Sequence, residues 1–377
     1  MIKIIRAFKT KIYPTKKQRI YFNKCFGIRR FAWNWGLENW ENYKSWTRLD
    51  RAWNHDENLK LNKPYLYQVN SMIKNMAFKE LNKAWNKYYK KEANKPKFKS
   101  KKKDIKRFSM FEKTRNQKTK TIMFINKRIN LNVTRKLGRF NIKCAENLNF
   151  LNDKNIRICE FTISEKNNSY YISIIYERTN CEFIEKEKLL NKVGIDVGVK
   201  TVMTGYNGIN FYEIKLPQKI IKLEKHINYL NNKLSKKVYN SIRYKKLNLK
   251  INKLYEKIKN IKNDLYNKEV FYLSTIYKQI NYESFTFKII DNNKINKSLY
   301  RTSPSLLLNK LINKCKEYNT KLNIIKNEPT TQTCSRCGNR YYKEKKLTLF
   351  DRIYKCNNCG LEIGRDKNSA INIYNIV

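Results

Sequence analysis

Two sets of residues in this 377-residue chain have the types and spacing to do chemistry: paired cysteines near the C-terminus, and three acids at the edges of apolar runs. Cys334 and Cys337 form one C-x-x-C pair, Cys356 and Cys359 another, with 18 residues between the pairs. Gly338 or Gly360 follows each pair, so each reads as a tight turn whose backbone amides face the sulfurs. Four thiolates from two such turns suit one tetrahedral zinc ion. With no histidine nearby, that zinc would be structural and would keep no open position for water. A ribbon of this kind serves many nucleic-acid proteins and leaves function open.

The acids are Asp196 in Gly194-Ile-Asp-Val-Gly198, Glu283 in INYESF, and Asp366 in Gly364-Arg-Asp-Lys-Asn-Ser-Ala. Asp196 falls inside an expected central strand, where a carboxylate is costly unless paired or metal-bound. Its flanking glycines leave room for something bulky to approach. Glu283 ends an apolar strand pattern. Asp366 opens the last helix, where an N-cap is the ordinary role. Together, two strand acids and a helix-start acid, with a zinc ribbon before the third, match a split RNase H-like site. Such a site holds two magnesium ions, one activating water and one stabilising the leaving oxygen.

These residues need a scaffold. Residues 2–13 read as a strand ending at Pro14, and Thr15 to Trp46 as an aromatic-rich helical pattern with Phe22, Phe26, Trp33 and Trp40. A second helix starts near Pro64, with Val69, Ile73, Met76, Leu81, Ala84 and Tyr88 close to a 3.6 period. Aromatics at that spacing are core residues or platforms for bases. Gln68, Asn70 and Asn75 on this helix could read base edges in a major groove, or form a plain polar face. The basic stretch 90–107 is a solvated linker or a phosphate track. The overall charge favours the track, with Lys97, Lys99, Lys101, Lys102 and Lys103 as contacts.

Short β patterns follow, including a hairpin from Ile158–Ile163 to Tyr170–Tyr176 around a polar turn at Lys166–Asn168, which suggests a small barrel. Composition breaks near Thr179–Lys188. Beyond it come two strands with an Asn207–Gly208 hairpin turn. Two helices with heptad stripes, Ile220–Leu234 and Leu247–Leu265, should pack as an antiparallel pair. A strand at Ile280–Phe285, a helix at Ser303–Tyr318, a strand at Lys321–Lys326, the cysteine module and a short last helix complete the chain.

Lys and Arg number 82 against 31 Asp and Glu, a net charge of +51 spread along the whole length. Abundant Lys, Asn and Ile fit an A+T-rich genome, but that bias would not suppress Asp and Glu. Such a chain repels itself unless a polyanion neutralises it, which points to nucleic acid. No apolar run approaches the roughly 20 residues of a membrane span, and the N-terminus lacks a signal peptide's apolar stretch. Five further cysteines are scattered singly, which suits a reduced compartment with one metal site rather than a disulfide framework.

The motifs GIDVGVK, YESF, TTQTCSRCG, CNNCG and GRDKNSAINI occur in this order, after FKTKIYPTKKQ, FGIRRFAWNWGL and KPKFKSKKK. On these the sequence resembles the TnpB family of transposon-encoded nucleases, the apparent ancestors of type V CRISPR effectors. The resemblance covers nearly the whole chain, most strongly from Val193 onward. It implies an α+β multidomain protein: an RNase H-like (RuvC) nuclease with an inserted zinc ribbon, and an N-terminal wedge β-barrel with an inserted helical recognition lobe. The implied divisions are 1–14 and 93–185 for the barrel, 15–92 for the lobe, 186–330 and 364–377 for the nuclease, and 331–363 for the ribbon. Asp196, Glu283 and Asp366 would be the catalytic carboxylates, holding two Mg2+. The implied activity is RNA-guided cutting of double-stranded DNA beside a short adjacent motif, using RNA from the transposon end. A monomer with one RNA in a bacterial cytoplasm, nucleoid-associated on DNA, is the expected form. Two departures stand out. Gly364 replaces a common acid, and Ser284-Phe285 replaces the usual Asp-Leu. A CRISPR effector with a separately encoded guide, a non-cutting RNA-guided repressor and an unguided resolvase are the competing readings.

Overall fold

The structure is a computed structural model describing residues 4–112, 121–134, 137–179, 187–198, 201–284, 301–326, 328–341, 347 and 351–376. The chain forms two compact units, residues 1–181 and 182–377. Phe285 lies outside the described residues, as do positions 180–186 of the expected boundary.

In the first unit, β1 (Ile4–Tyr13) leads into α1 (Lys16–Glu38). Pro14 ends the strand, and Thr15 and Gln18 start the helix through a reciprocal capping box, each side chain accepting the other's backbone N–H. The long helix expected to Trp46 stops at Glu38. Asn39 donates from its side chain to the Trp35 carbonyl, an alternative partner to the helical ladder. A single turn, α2 (Trp40–Tyr43), follows and ends at Lys44 in the left-handed region. Next come α3 (Trp46–His55) and α4 (Glu57–Asn62), neither anticipated from sequence, then a 3-10 turn at Pro64–Tyr67 and α5 (Met72–Tyr89). The aromatics of this insert are mostly core: Phe22, Trp40 and Trp53 are buried, and Trp40 stacks on Trp85 at 5.5 Å.

The strands β2 (Arg107–Phe111), β3 (Ile122–Ile125), β4 (Arg128–Thr134), β5 (Gly138–Cys144), β6 (Ile156–Lys166) and β7 (Ser169–Arg178) join β1 in a seven-stranded antiparallel sheet, ordered β2-β6-β7-β1-β5-β4-β3. Asn167 and Asn168, both at positive φ, make the expected tight turn between β6 and β7. Glu112, just past one edge strand, accepts the N–H groups of Thr121 and Ile122 at the other, so the sheet curls toward closure. Alternate residues such as Phe108, Phe161 and Ile174 point inward, where Phe108 meets Phe22 of α1 at 5.7 Å. Barrel and helices thus share one core.

The second unit carries β8 (Leu190–Asp196), β9 (Met203–Tyr206) and β10 (Phe211–Ile214), followed by α6 (Gln218–Ser235) and α7 (Ile242–Ile276). Helix α7 passes without a loop into β11 (Tyr277–Glu283), about ten residues beyond the end of its heptad stripe. Then come α8 (Pro304–Glu317), β12 (Lys321–Ile325), a β13 (Ile353–Lys355) and β14 (Glu362–Gly364) hairpin, and α9 (Arg365–Asn375). The sheet order is β10-β9-β8-β11-β12, antiparallel through β8 and parallel from there. That mixed order, with helices on both faces, is an RNase H-like fold. Among the described residues no helix is long and apolar enough to cross a membrane.

Candidate active site and metal centre

The two-residue period of a strand divides β8 and β11 into two faces. Val193, Ile195, Ile280 and Tyr282 pack with Tyr266, Val270 and Leu273 of α7. Gly194, Asp196, Asn281 and Glu283 fall on the opposite face, toward α9. Because Asn281 pairs with Gly194 and Tyr282 with Ile195, Asp196 and Glu283 come level at the C-terminal ends of adjacent parallel strands. Neighbouring strands lie about 4.8 Å apart, so the two carboxylates are neighbours.

Asp366 arrives from the first turn of α9, and a chain of fixed contacts sets that helix. A Cβ on Gly194 would lie 2.3 Å from the Tyr374 backbone nitrogen and 2.5 Å from the Ala370 carbonyl. What needs the room beside Asp196 is therefore the helix backbone. Asn281, fully buried, donates to the Ile373 carbonyl at 2.9 Å and the Ile376 carbonyl at 2.6 Å, satisfying the helix's C-terminal end. At Gly198, a Cβ would sit 2.8 Å from the Thr201 carbonyl and 3.9 Å from Asp366 Oδ2, which places this second glycine against the third acid.

Asp196 is 8% exposed. Burial, then the charges of Glu283 and Asp366, push its carboxyl well above the usual range, against the pull of Arg365 and a hydrogen bond from Ser369. Burial also raises Glu283, while Thr330 donates to it at 2.7 Å and lowers it. Arg365 contacts Asp366 at 3.3 Å. Three acids confined together with one nearby guanidinium form a cation-seeking site.

The thiols of Cys334, Cys337, Cys356 and Cys359 lie within 4.8 Å of one another. The sulfurs of Cys334 and Cys359 are 3.6 Å apart, those of Cys337 and Cys356 3.5 Å. A tetrahedron with metal–sulfur bonds of about 2.3 Å has edges of about 3.8 Å, so the set fits zinc. Gly338 and Gly360 take positive φ, and their amides donate to the Cys334 and Cys356 carbonyls, closing each turn. Hydrogen bonds from the Asn339 amide and the Asn358 side chain bring the Cys337 thiol down to about 6. The ribbon is tied to the acids. Asn368 and Asn372 of α9 donate to the Thr333 carbonyl, Asn368 accepts from the Ser335 amide, and Thr330 bridges Glu283 and Ser369. Thr330, Asn281, Asn368 and Asn372 were not singled out in the sequence, where a buried amide or hydroxyl looks like any other polar residue.

The candidate nucleic-acid contacts separate into two groups. Lys101, Lys102 and Lys103 are exposed on a turn, and Lys97 is exposed. Lys99 is instead folded back, its Nζ 3.1 Å from the centre of the Trp33 ring. Burial and Arg29 bring its ammonium down to about 7, against Glu80 and Asp104. Trp33 and Asn34 hydrogen-bond the backbone at Lys97 and Lys99, so this stretch is clamped to α1 and is no free linker. Exposed Gln68 accepts from Lys24. Asn70 accepts the Met72 amide at the start of α5. Asn75, with its amide oriented to satisfy its neighbours, donates to Asp50 at 2.7 Å.

Residues 173–290 match a family model described as probable transposase, residues 305–373 the Cas12f1-like TNB domain, and residues 1–47 a helix-turn-helix domain. A Streptomyces pristinaespiralis protein bearing the name RNA-guided DNA endonuclease is 24% identical over 99% of this chain and 89% of its own. TnpB-like protein L79 of Acanthamoeba polyphaga mimivirus is 28% identical over 55% of this chain and 41% of its own, and transposase R186 of that virus 31% over 50% and 40%. The chain thus spans about two-fifths of the length of these mimivirus relatives. Among solved structures, Cas12f1 in complex with sgRNA and target DNA has a TM-score of 0.58 at 13% identity, over 99% of both chains. The mini-RNA-guided endonuclease CRISPR-Cas_phi3 has 0.51 at 11%, over 98% of this chain and 92% of its own. Both share the fold. With its matched models and an RNase H-like sheet joined to a four-cysteine ribbon, the chain is similar to these transposase and TnpB-like relatives.

Proposed function

We propose that this chain is an RNA-guided endonuclease for double-stranded DNA, with Asp196, Glu283 and Asp366 holding two magnesium ions and the four cysteines one structural zinc. The observation that supports this best is the convergence of three acids, from segments up to 170 positions apart, at one edge of an RNase H-like sheet. Magnesium, when bound, supplies an activated water and stabilises the leaving oxygen. The chain's own residues prepare for it. Burial and mutual repulsion make the acids poor neighbours without cations, Thr330 orients Glu283, and α9 sets Asp366 through its backbone packing on Gly194. Since the Asp196 carboxyl is raised, acid favours its protonated form, and metal affinity and cutting should climb with pH.

The relatives named for transposases and TnpB support a guide from the transposon end, and the net charge of +51 supports a polyanion held before DNA arrives. Base pairing would then select the target, leaving the protein to read only a short adjacent motif. Protein reconstituted with two different guides, each tested on two plasmids differing only in target sequence, decides the matter. Cutting should follow the guide. Cutting that ignores it, or persists after ribonuclease treatment, favours the unguided resolvase. Asp196→Ala and Glu283→Gln should each lower magnesium-dependent cleavage by roughly a thousandfold or more, the scale of losing an electrostatic stabiliser. RNA and target binding should persist.

A further inference from the structure

The antiparallel pair α6–α7 is longer than the sheet requires. Tyr266 lies beside Tyr282, near the carboxylate ends of the strands, while the helix ends where β11 begins at Tyr277. Helix α7 therefore runs antiparallel to β11, and everything before about Lys262 extends past the edge where Asp196 and Glu283 sit. The base of this extension is anchored: Lys262 donates to the Arg301 carbonyl and the Ser303 hydroxyl, and Arg301 pairs with Glu224 of α6 at 2.7 Å. From Lys262 to the tip at Ser241 is 21 residues of helix, roughly 30 Å at 1.5 Å per residue. Over that length, among the described residues, the two helices pack on each other through Ile227, Leu230, Ile251 and Ile258.

The outward surface of this arm is predominantly basic, with the acids Glu224 and Glu256 confined toward its base. Residues 225–255 contain nine Lys and Arg and no Asp or Glu. Aromatic rings lie among the cations: Tyr229 and Tyr255 are exposed, and Lys233 sits 4.5 Å from the centre of the Tyr229 ring. At the tip, Tyr239 is 80% exposed and meets Tyr244 edge to face at 5.3 Å. A surface this basic disfavours pairing with the same surface of a second copy. Lysines spaced along a helix suit a phosphate backbone, and exposed tyrosines suit unpaired bases. A base inside a duplex is already stacked.

We infer that the α6–α7 arm is a landing surface for single-stranded DNA, guiding the strand that leaves the carboxylate edge and stacking one of its bases on Tyr239. The assignment to DNA rests on the nuclease reading, while the arm's capacity for single strands rests on charge and exposure alone. Ultraviolet crosslinking of the full chain carrying Asp196→Ala to mixed-sequence single-stranded DNA, followed by peptide mass spectrometry, tests contact. The peptide containing Tyr239 should carry a deoxynucleotide. Tyr239→Ala should weaken binding about tenfold with an unchanged salt slope, and Tyr239→Phe should restore it. Lys233→Gln with Lys236→Gln and Lys237→Gln should instead reduce the slope of log affinity against log salt by about 0.7 per lysine. No crosslink at the tip with unchanged affinity and slope overturns the inference. So does preference of the tip for a single-stranded RNA of the same sequence, or binding of anionic phosphatidylserine vesicles that the Tyr239 change abolishes. None of these readouts needs cutting, so wild-type-like cleavage by Asp196→Ala would sink the nuclease reading and leave the arm's result intact.

Discussion

Gly194 and Lys99 show how much a single position can hide. The sequence marked Gly194 as a place of close approach beside an acid, but the partner is the backbone of α9, whose atoms would lie 2.3–2.5 Å from any Cβ. Backbone cannot move aside as a side chain can, so Gly194→Ala should destabilise the second unit by about 3 kcal/mol, measurable by denaturant unfolding. Cleavage should fall with it, because Asp366 rides on the displaced helix. Unchanged stability would mean that α9 is not seated on β8. Lys99 belongs by sequence to a run of interchangeable lysines, yet it alone is pressed onto Trp33 and held down to about 7. Its folded value lies below the unfolded one near 10.5, so the unfolded chain binds the extra proton between them and stability should rise with pH from about 7 to 10. Lys99→Met should flatten that rise in thermal melts at several pH values, and an unaltered slope would remove Lys99 from the account. No local signal separates Lys99 from Lys101, since the distinction is made by Trp33, 66 positions earlier in the chain.

Among elements, strands and helices with an unbroken pattern were legible in the sequence, and those ended by side-chain competition were not. The helix start after Pro14, the polar turn at Lys166–Asn168 and the strand ending near Glu283 follow from local chemistry. The stop at Asn39, the helices at 46–62 and the continuation of α7 into β11 depend on tertiary packing that periodicity does not report. The ribbon was readable as a metal module from its spacing, whereas its attachment to the acids was not. That attachment predicts a coupling. Cys356→Ser should lower zinc content below one per chain and raise proteolysis around residues 331–363, since a module this small relies on its metal to fold. Through Thr333, Asn368 and Thr330 the same change should also loosen Asp366 and Glu283, cutting cleavage even with magnesium in excess. Zinc loss with fully retained cleavage would show that α9 is set without the ribbon.

For the whole molecule, the dominant quantity is a charge of +51 on 377 residues. Without a polyanion the folded chain carries its own repulsion, which salt screens. The melting temperature of RNA-free protein should therefore rise from roughly 0.1 to 1 M salt, as the Debye length falls from about 10 to 3 Å. Protein with RNA bound should show a much weaker trend, and identical salt profiles would argue against a resident RNA. The order of the three acids along the chain adds a dimension of time. Residues 1–181 and the first two carboxylates are synthesised before the ribbon, and Asp366 only after it. A nascent chain can therefore fold its barrel and helical insert well before α9 exists to close over Gly194. On the proposed reading, translation itself imposes a sequence of guide first and blade last, and a product that stops short of residue 366 lacks the third carboxylate and should not cut.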